Sequence, residues 1–164
     1  MPHLQFEMNF AATPEEKSGF AAAVIRHFAG IMDTGTDHIA VTVRSFGPRD
    51  LAFGRAAASG GRTAFVNADI RLGRTRDQKR RLALAFIDEI ARTWAVAGEA
   101  VYVIYTEHDG EHFQLSDRVL PSWSAGEDPL ADRPRRRKPG KRSAAPRPAT
   151  VGRARGARGR GRPR

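Results

Sequence analysis

Four short segments of the chain alternate between apolar and polar residues or are rich in β-branched residues. These segments cover residues 2–8, 38–46, 63–72 and 100–105. Alternation with a period of two is typical of a strand with one buried face, and β-branched residues fit a pleated sheet well. The pattern therefore predicts four β-strands, the first of which starts at the beginning of the chain.

Apolar residues recur at helical spacing between the first and second strands and again between the third and fourth. Each of these segments follows a threonine with a glutamate or glutamine three residues later. The pairs are Thr13 with Glu16 and Thr75 with Gln78. Such a pair forms a capping box, in which each residue's side chain bonds the other's backbone N–H at the start of a helix. The sequence thus predicts two amphipathic helices, the first of which ends near 33–35.

Two strand–helix–strand units in succession predict an α/β fold with a tandem β-α-β repeat. Each unit gives a pair of parallel strands, and the two helices share one face of a four-stranded sheet. The opposite face of the sheet also has to be covered. In a domain this small, association with further copies of the chain is the simplest cover, so we expect a homo-oligomer.

Charge divides the chain into two parts. Residues 133–164 hold 14 of the 28 lysines and arginines and none of the 18 acidic residues. The remaining residues are therefore mildly acidic, with a net charge of −4. The end of the chain is also too poor in apolar residues to offset its chain entropy by burial. We expect a folded domain over residues 1–131 and a disordered basic tail over residues 132–164.

The last residues of the tail include Arg160, Gly161, Arg162 and Pro163. This run resembles the core of an AT-hook, whose paired arginines enter the narrow minor groove of A·T-rich DNA. A polycation also binds any polyanion by releasing counterions, without regard to sequence. A compositionally biased extension with no such role is the third interpretation. The first two interpretations make DNA or another polyanion the candidate partner of residues 133–164.

Several classes of protein do not fit the sequence. The chain has no cysteine, which excludes disulfides and thiolate catalysis. None of its fully apolar runs is longer than that of residues 20–25, which is far below the ~18 residues of a membrane span. Its start lacks the pattern of a signal peptide, so we expect a cytoplasmic protein. Acids and histidines cluster at 107–112, but without the spacing of metal ligands they are interpreted as a solvated loop. We expect no metal and no cofactor.

The N-terminal pair Met1-Pro2, followed by the tandem repeat, resembles the tautomerase superfamily over about residues 2–123. The most specific stretch is residues 61–91, GRTAFVNADIRLGRTRDQKRRLALAFIDEIA, with its Arg-x-x-Arg turn. It is similar to the cis-3-chloroacrylic acid dehalogenase group, as is DRVLP at 117–121. The opening PHLQFE is similar to 5-carboxymethyl-2-hydroxymuconate isomerase. The resemblance implies a homotrimer.

In that superfamily the initiator methionine is removed, which would leave Pro2 as a free secondary amine and the catalytic residue. An α-amino group has a reference pKa of about 8, and burial or nearby cations lower it. An amine that is neutral near pH 7 can take a proton from the carbon beside a carbonyl. The alternative is that Pro2 only permits removal of the methionine.

The resemblance also assigns substrate-binding residues. Arg71 and Arg74 would grip a substrate carboxylate, since the ends of parallel strands and helix N-termini are where anions bind. The alternative is that both are solvated surface arginines. His27 would match a substrate-binding histidine if the alignment has a one-residue gap; otherwise it is a histidine favoured by the helix dipole. Tyr102 and Tyr105 are the candidate assisting tyrosines.

The dehalogenase group activates water with a tyrosine and a glutamate, and this chain departs from that pattern. The tyrosine position falls on Ile104 and the glutamate position on Leu115. Proton transfer needs only the amine and an anion site. The sequence therefore predicts a tautomerase that moves a proton between carbon and oxygen of a small keto–enol acid. The alternatives are a hydratase, dehalogenase or decarboxylase of the same superfamily, and a nucleic-acid-binding scaffold that acts through its tail.

Overall fold

The computed structural model describes residues 2–54, 61–116 and 118–125. Its long elements follow the predicted order of strands and helices. They are β1 (His3–Met8), α1 (Pro14–Met32), β2 (Ala40–Ser45), β3 (Ala64–Arg71), α2 (Arg76–Trp94) and β4 (Val101–His108). Short 3₁₀ turns at Gly98–Ala100 and Gly110–His112 flank β4.

The strands form one mixed sheet in the order β2-β1-β3-β4. β1 runs parallel to β2 and β3 parallel to β4, while β1 and β3 are antiparallel. The predicted α/β fold with a tandem β-α-β repeat is therefore confirmed. In the register of the sheet, His3 lies opposite both Ala40 and Asp69, and Arg71 lies opposite His108. The starts of β1 and β2 thus meet the ends of β3 and β4 along one side of the sheet, which we call the Pro2 edge.

Both predicted capping boxes are present. At the start of α1 the Glu16 N–H donates to the Thr13 hydroxyl at 3.2 Å, and the Thr13 N–H donates to the Glu16 carboxylate at 2.8 Å. Thr75 and Gln78 make the same pair of bonds at the start of α2. α1 ends at Asp33, whose backbone is left-handed with φ 50°. The helix bounds therefore follow from local hydrogen bonding that the sequence encodes.

The hydrophobic core lies between the sheet and the two helices. Phe6 of β1 contacts Phe20 of α1 at a ring-centroid distance of 4.8 Å and Phe86 of α2 at 5.3 Å. Both pairs are edge-to-face, the geometry that aromatic quadrupoles favour. One strand residue thus joins both helices to the same sheet face, as the repeat predicts.

β4 is longer than the predicted segment. It pairs with β3 as far as the partners Arg71 and His108. Ladder hydrogen bonds hold Thr106 and Glu107 in the strand although their side chains are polar. The expectation of a solvated loop over 107–112 is therefore wrong for Glu107 and His108, which belong to the sheet.

Neither described helix is apolar enough over a sufficient length to cross a bilayer.

Candidate functional site

Pro2 lies at the Pro2 edge, immediately before β1, and is buried. Its carbonyl accepts a hydrogen bond from the Ala40 N–H at 3.0 Å, which extends the β1–β2 ladder by one residue. Because His3 is opposite Asp69, Pro2 stands beside the end of β3. The preceding Met1 lies outside the described residues.

Arg71 is the last residue of β3, so it comes to the same edge as Pro2. It is only 4% exposed. Its Nη1 donates to the Pro121 carbonyl at 2.9 Å. A buried guanidinium needs acceptors around it, and this carbonyl is one of them.

Arg74 lies in the turn between β3 and α2 and is 7% exposed. Its Nη1 donates to the Met32 carbonyl at the C-terminal end of α1. Its guanidinium carbon stands 3.9 Å from the centre of the Trp123 ring. The interpretation of Arg71 and Arg74 as solvated surface residues therefore does not hold, because both are buried at the Pro2 edge.

His27 makes its side-chain contact with α2 and not with Pro2 or either arginine among the described residues. Its Nε2 is 3.4 Å from the Glu89 carboxylate, which also pairs with Arg92. Glu89 is itself buried. The structure thus places His27 in a link between the two helices and does not bring it to the arginines by a direct contact.

The contacts of Glu89 with His27 and Arg92 predict that the free energy of unfolding depends on pH. Burial opposes ionisation of the Glu89 carboxyl, but hydrogen bonds from Arg92 and His27 and their charges outweigh it and lower the pKa of that carboxyl. A lowered pKa contributes stability above the unfolded pKa of about 4.3, and this contribution is lost as the pH falls through the folded value. We expect Glu89→Gln to lower the free energy of unfolding at pH 7 by about 1–3 kcal/mol.

The measurement is urea unfolding of the wild type and Glu89→Gln between pH 7 and pH 3. The difference between the two proteins should shrink as the pH falls below about 4, because wild-type Glu89 is protonated first in the unfolded state and, at lower pH, in the folded protein as well. A difference that stays constant over this range would contradict the charged role of Glu89.

The two candidate tyrosines lie on opposite faces of β4. The Tyr105 hydroxyl donates to the Lys79 carbonyl at 2.7 Å on the helix side, and burial raises the pKa of Tyr105. Tyr102 lies on the opposite face, near Phe53 and Phe65 at ring-centroid distances of 5.8 and 6.1 Å. Tyr105 is thus a neutral hydrogen-bond donor to backbone, and Tyr102 belongs to an aromatic surface.

The sheet face opposite the helices carries a concave depression of about 420 Å³. Its lining includes the aromatic rings just described and Ile104, which is 47% exposed. Polar groups from β1 border it, among them Gln5 and Glu7. Exposed apolar patches of this kind are typical of surfaces that bind another protein chain or a ligand.

Residues 118–125 contribute to the Pro2 edge in a way that the sequence did not reveal. Leu120 and Trp123 of this segment are both buried. That Pro121 and Trp123 contact the two arginines was not predictable, since no spacing rule relates a loop to a strand end fifty residues earlier. A second missed feature is His108, whose Nε2 is 3.5 Å from the Asp69 carboxylate on β3.

The proposed nucleic-acid-binding residues Arg160, Arg162 and Pro163 lie outside the described residues, as does the whole of 126–164.

No family model matches the chain, and no curated protein matches its sequence. Solved structures do match its fold. Macrophage migration inhibitory factor from Toxoplasma gondii is 18% identical with a TM-score of 0.63, over 72% of this chain and 99% of that one. N1, a member of the cis-3-chloroacrylic acid dehalogenase family, is 21% identical with a TM-score of 0.66, over 73% and 84% of the two chains.

A third similar structure is described as a fused 4-OT wild-type symmetric trimer. It is 19% identical with a TM-score of 0.64, over 76% of this chain and 98% of that one. At such identities the likeness shows the fold, and the chemistry has to be argued from the residues of this chain.

Proposed function

We propose that the chain, which has the fold of the tautomerase superfamily, is a tautomerase that catalyses keto–enol proton transfer on a small carboxylate-bearing substrate. Pro2 is the acid–base group in this proposal. Arg71 and Arg74 bind the substrate's carboxylate.

One observation carries the proposal: Pro2 and two buried arginines belong to the same edge of the sheet. Two guanidiniums so far removed from water attract an anion strongly, because a low-dielectric setting screens their charge little. Fixed cations also disfavour protonation of a neighbouring amine. The edge therefore combines an anion site with an amine that is suited to act as a base.

The proposed reaction needs one group that takes up and returns a proton. The neutral Pro2 amine takes the proton from the carbon beside the substrate's carbonyl. The C–H electron pair becomes a C=C bond and the carbonyl π pair moves to the oxygen, which takes a proton from solvent water while the protonated amine returns its proton to solvent. The arginines hold the carboxylate and stabilise the developing charge. In the reverse direction the protonated amine gives its proton to the carbon.

Proton transfer is favoured over water-adding or dehalogenating chemistry by the residues at two positions. Ile104 and Leu115 occupy the places where the resemblance puts the water-activating tyrosine and glutamate. Neither side chain can exchange a proton or bind water.

The test is a keto–enol assay with phenylpyruvate, a generic arylpyruvate, beside its methyl ester. The protein is expected to accelerate ketonisation of the acid well above the buffer rate. The ester should have a kcat/KM lower by about 10- to 100-fold, because it has no charge to pair with the arginines. Absence of acceleration for the acid, or equal values for acid and ester, would contradict the proposal.

We further propose that the chain forms a homotrimer through the sheet face opposite the helices. Phe65, Tyr102 and Ile104 present apolar surface there, and burying it between copies is favourable. The description of the similar 4-OT structure as a trimer supports the number three. Sedimentation should give the mass of three chains for the wild type and smaller species for Ile104→Glu. A wild type that sediments as a single chain would refute the trimer.

A further inference from the structure

A short segment after the last 3₁₀ turn, residues 118–123, lies across the Pro2 edge; we call it the closing segment. Several hydrogen bonds hold it there besides the one from Arg71 to the Pro121 carbonyl. The Trp123 N–H donates to the Leu72 carbonyl at 3.2 Å and the Leu120 N–H to the Phe113 carbonyl at 3.2 Å. The Gly110 N–H donates to the Ser122 hydroxyl at 3.3 Å. The closing segment is thus attached to the end of β3 and to the turn that follows β4.

Two glycines allow this close approach. Gly73 has φ 108°, a conformation that favours glycine, and a Cβ there would overlap the Trp123 carbonyl. A Cβ at Gly110 would overlap the backbone of Pro121. The path of the closing segment is therefore built into the turns on which it lies.

The closing segment brings Trp123 onto Arg74. The guanidinium carbon of Arg74 is 3.9 Å from the ring centre, and Trp123 is 8% exposed. A cation over an indole face is attracted by the ring quadrupole, most strongly where water is excluded. The Met32 carbonyl holds the same guanidinium by an N–H group. Arg74 is thus fixed by contacts of two different kinds.

We propose that Trp123 is a positioning residue that holds the Arg74 guanidinium in the orientation in which it binds the substrate's carboxylate. The inference rests on the proposed function of Arg74. A ring engages the flat face of a guanidinium and not the N–H groups, which lie in its plane. Those in-plane N–H groups are the ones that bind a carboxylate in a bidentate manner. Stacking therefore fixes the plane of the guanidinium without competing for its donors.

The experiment compares Trp123→Leu and Trp123→Phe with Val119→Ala, a control at an exposed position of the same segment. Binding of phenylpyruvate is measured by calorimetry, and kcat and KM are measured in the keto–enol assay. Leucine keeps the apolar contact but has no aromatic face, so it should weaken binding about 10- to 30-fold and raise KM by a similar factor. Phenylalanine keeps a face and should weaken binding only about threefold. Val119→Ala should match the wild type.

The methyl ester of phenylpyruvate separates positioning from general support of the fold. It has no carboxylate for Arg74, so Trp123→Leu should lower its kcat/KM by much less than the 10- to 30-fold expected for the acid. A variant that merely loosened the fold would lower the value for both compounds by the same factor. Thermal melting shows which variants are folded; if Trp123→Leu is not, the threefold weakening in Trp123→Phe remains the test.

A double-mutant cycle with Arg74→Met asks whether Trp123 acts through Arg74. In the Arg74→Met background, Trp123→Leu should have no further effect on binding. An equal effect in both backgrounds would overturn the inference, as would wild-type phenylpyruvate binding by a folded Trp123→Leu protein.

These outcomes are distinct from failure of the proposed function. Binding that depends on Trp123 in a protein with no keto–enol activity would refute the tautomerase and retain the positioning role. Keto–enol activity that does not change when Trp123 is substituted would retain the tautomerase and refute the positioning role. A wild type that does not bind phenylpyruvate overturns both.

Discussion

Pro2→Ala is expected to lower kcat/KM for phenylpyruvate by about 10²- to 10⁴-fold, the usual contribution of a general acid–base group. Alanine also permits removal of Met1, so the variant still has a free amine. That amine is primary and rotates, whereas the pyrrolidine ring fixes its nitrogen in one direction. The bond from Ala40 to the residue-2 carbonyl uses only backbone, so it survives the substitution.

A second variant tests the nitrogen itself and leaves every side chain in place. An extra alanine inserted between Met1 and Pro2 turns the Pro2 nitrogen into an amide, which cannot take up a proton. We expect at least as large a loss of kcat/KM as in Pro2→Ala, with an unchanged melting temperature. Wild-type kcat/KM in either variant would contradict a catalytic role for Pro2.

Leu82→Ala is expected to lower the free energy of unfolding by about 2–5 kcal/mol, the range for a leucine truncated in a packed core. Leu82 of α2 is completely buried beneath the sheet. Its side chain fills space that the surrounding residues cannot close without strain. Urea unfolding followed by circular dichroism measures the change.

Leu84 is the matched control, since it is the same residue type on the same helix but 41% exposed. Leu84→Ala should change the free energy of unfolding by less than about 0.5 kcal/mol. Both substitutions replace leucine by alanine in the same helix, so the change in helix propensity is the same in the two variants. The burial of the leucine is then the difference between them. Equal losses in the two variants would show that α2 does not pack on the sheet as described.

The strands and helices were predictable because each has a local cause. The alternation of Leu4, Phe6 and Met8 fixes which face of β1 is buried. Thr13 and Thr75 mark the helix starts through bonds to residues only three positions away. The end of β4 was not predictable, because its polar residues are held by pairing with β3 and not by their own preference.

The Pro2 edge was predictable in part. Parallel pairing within a β-α-β unit sends Arg71 and Arg74 to one end of the sheet, and the resemblance links that end to Pro2. The burial of both arginines was not predictable, since it depends on the closing segment. The pairing of His27 with Glu89 was not predictable either. The two residues lie on different helices and are 62 positions apart in the sequence.

Intact-mass spectrometry of the active, mature chain tests the catalytic role of a free Pro2 amine. We expect a mass lower than that of the full sequence by one methionine residue, which leaves Pro2 at the N-terminus. A chain that retains Met1 completely and still catalyses ketonisation of phenylpyruvate would contradict that role, because an acylated proline nitrogen can neither take up nor return a proton.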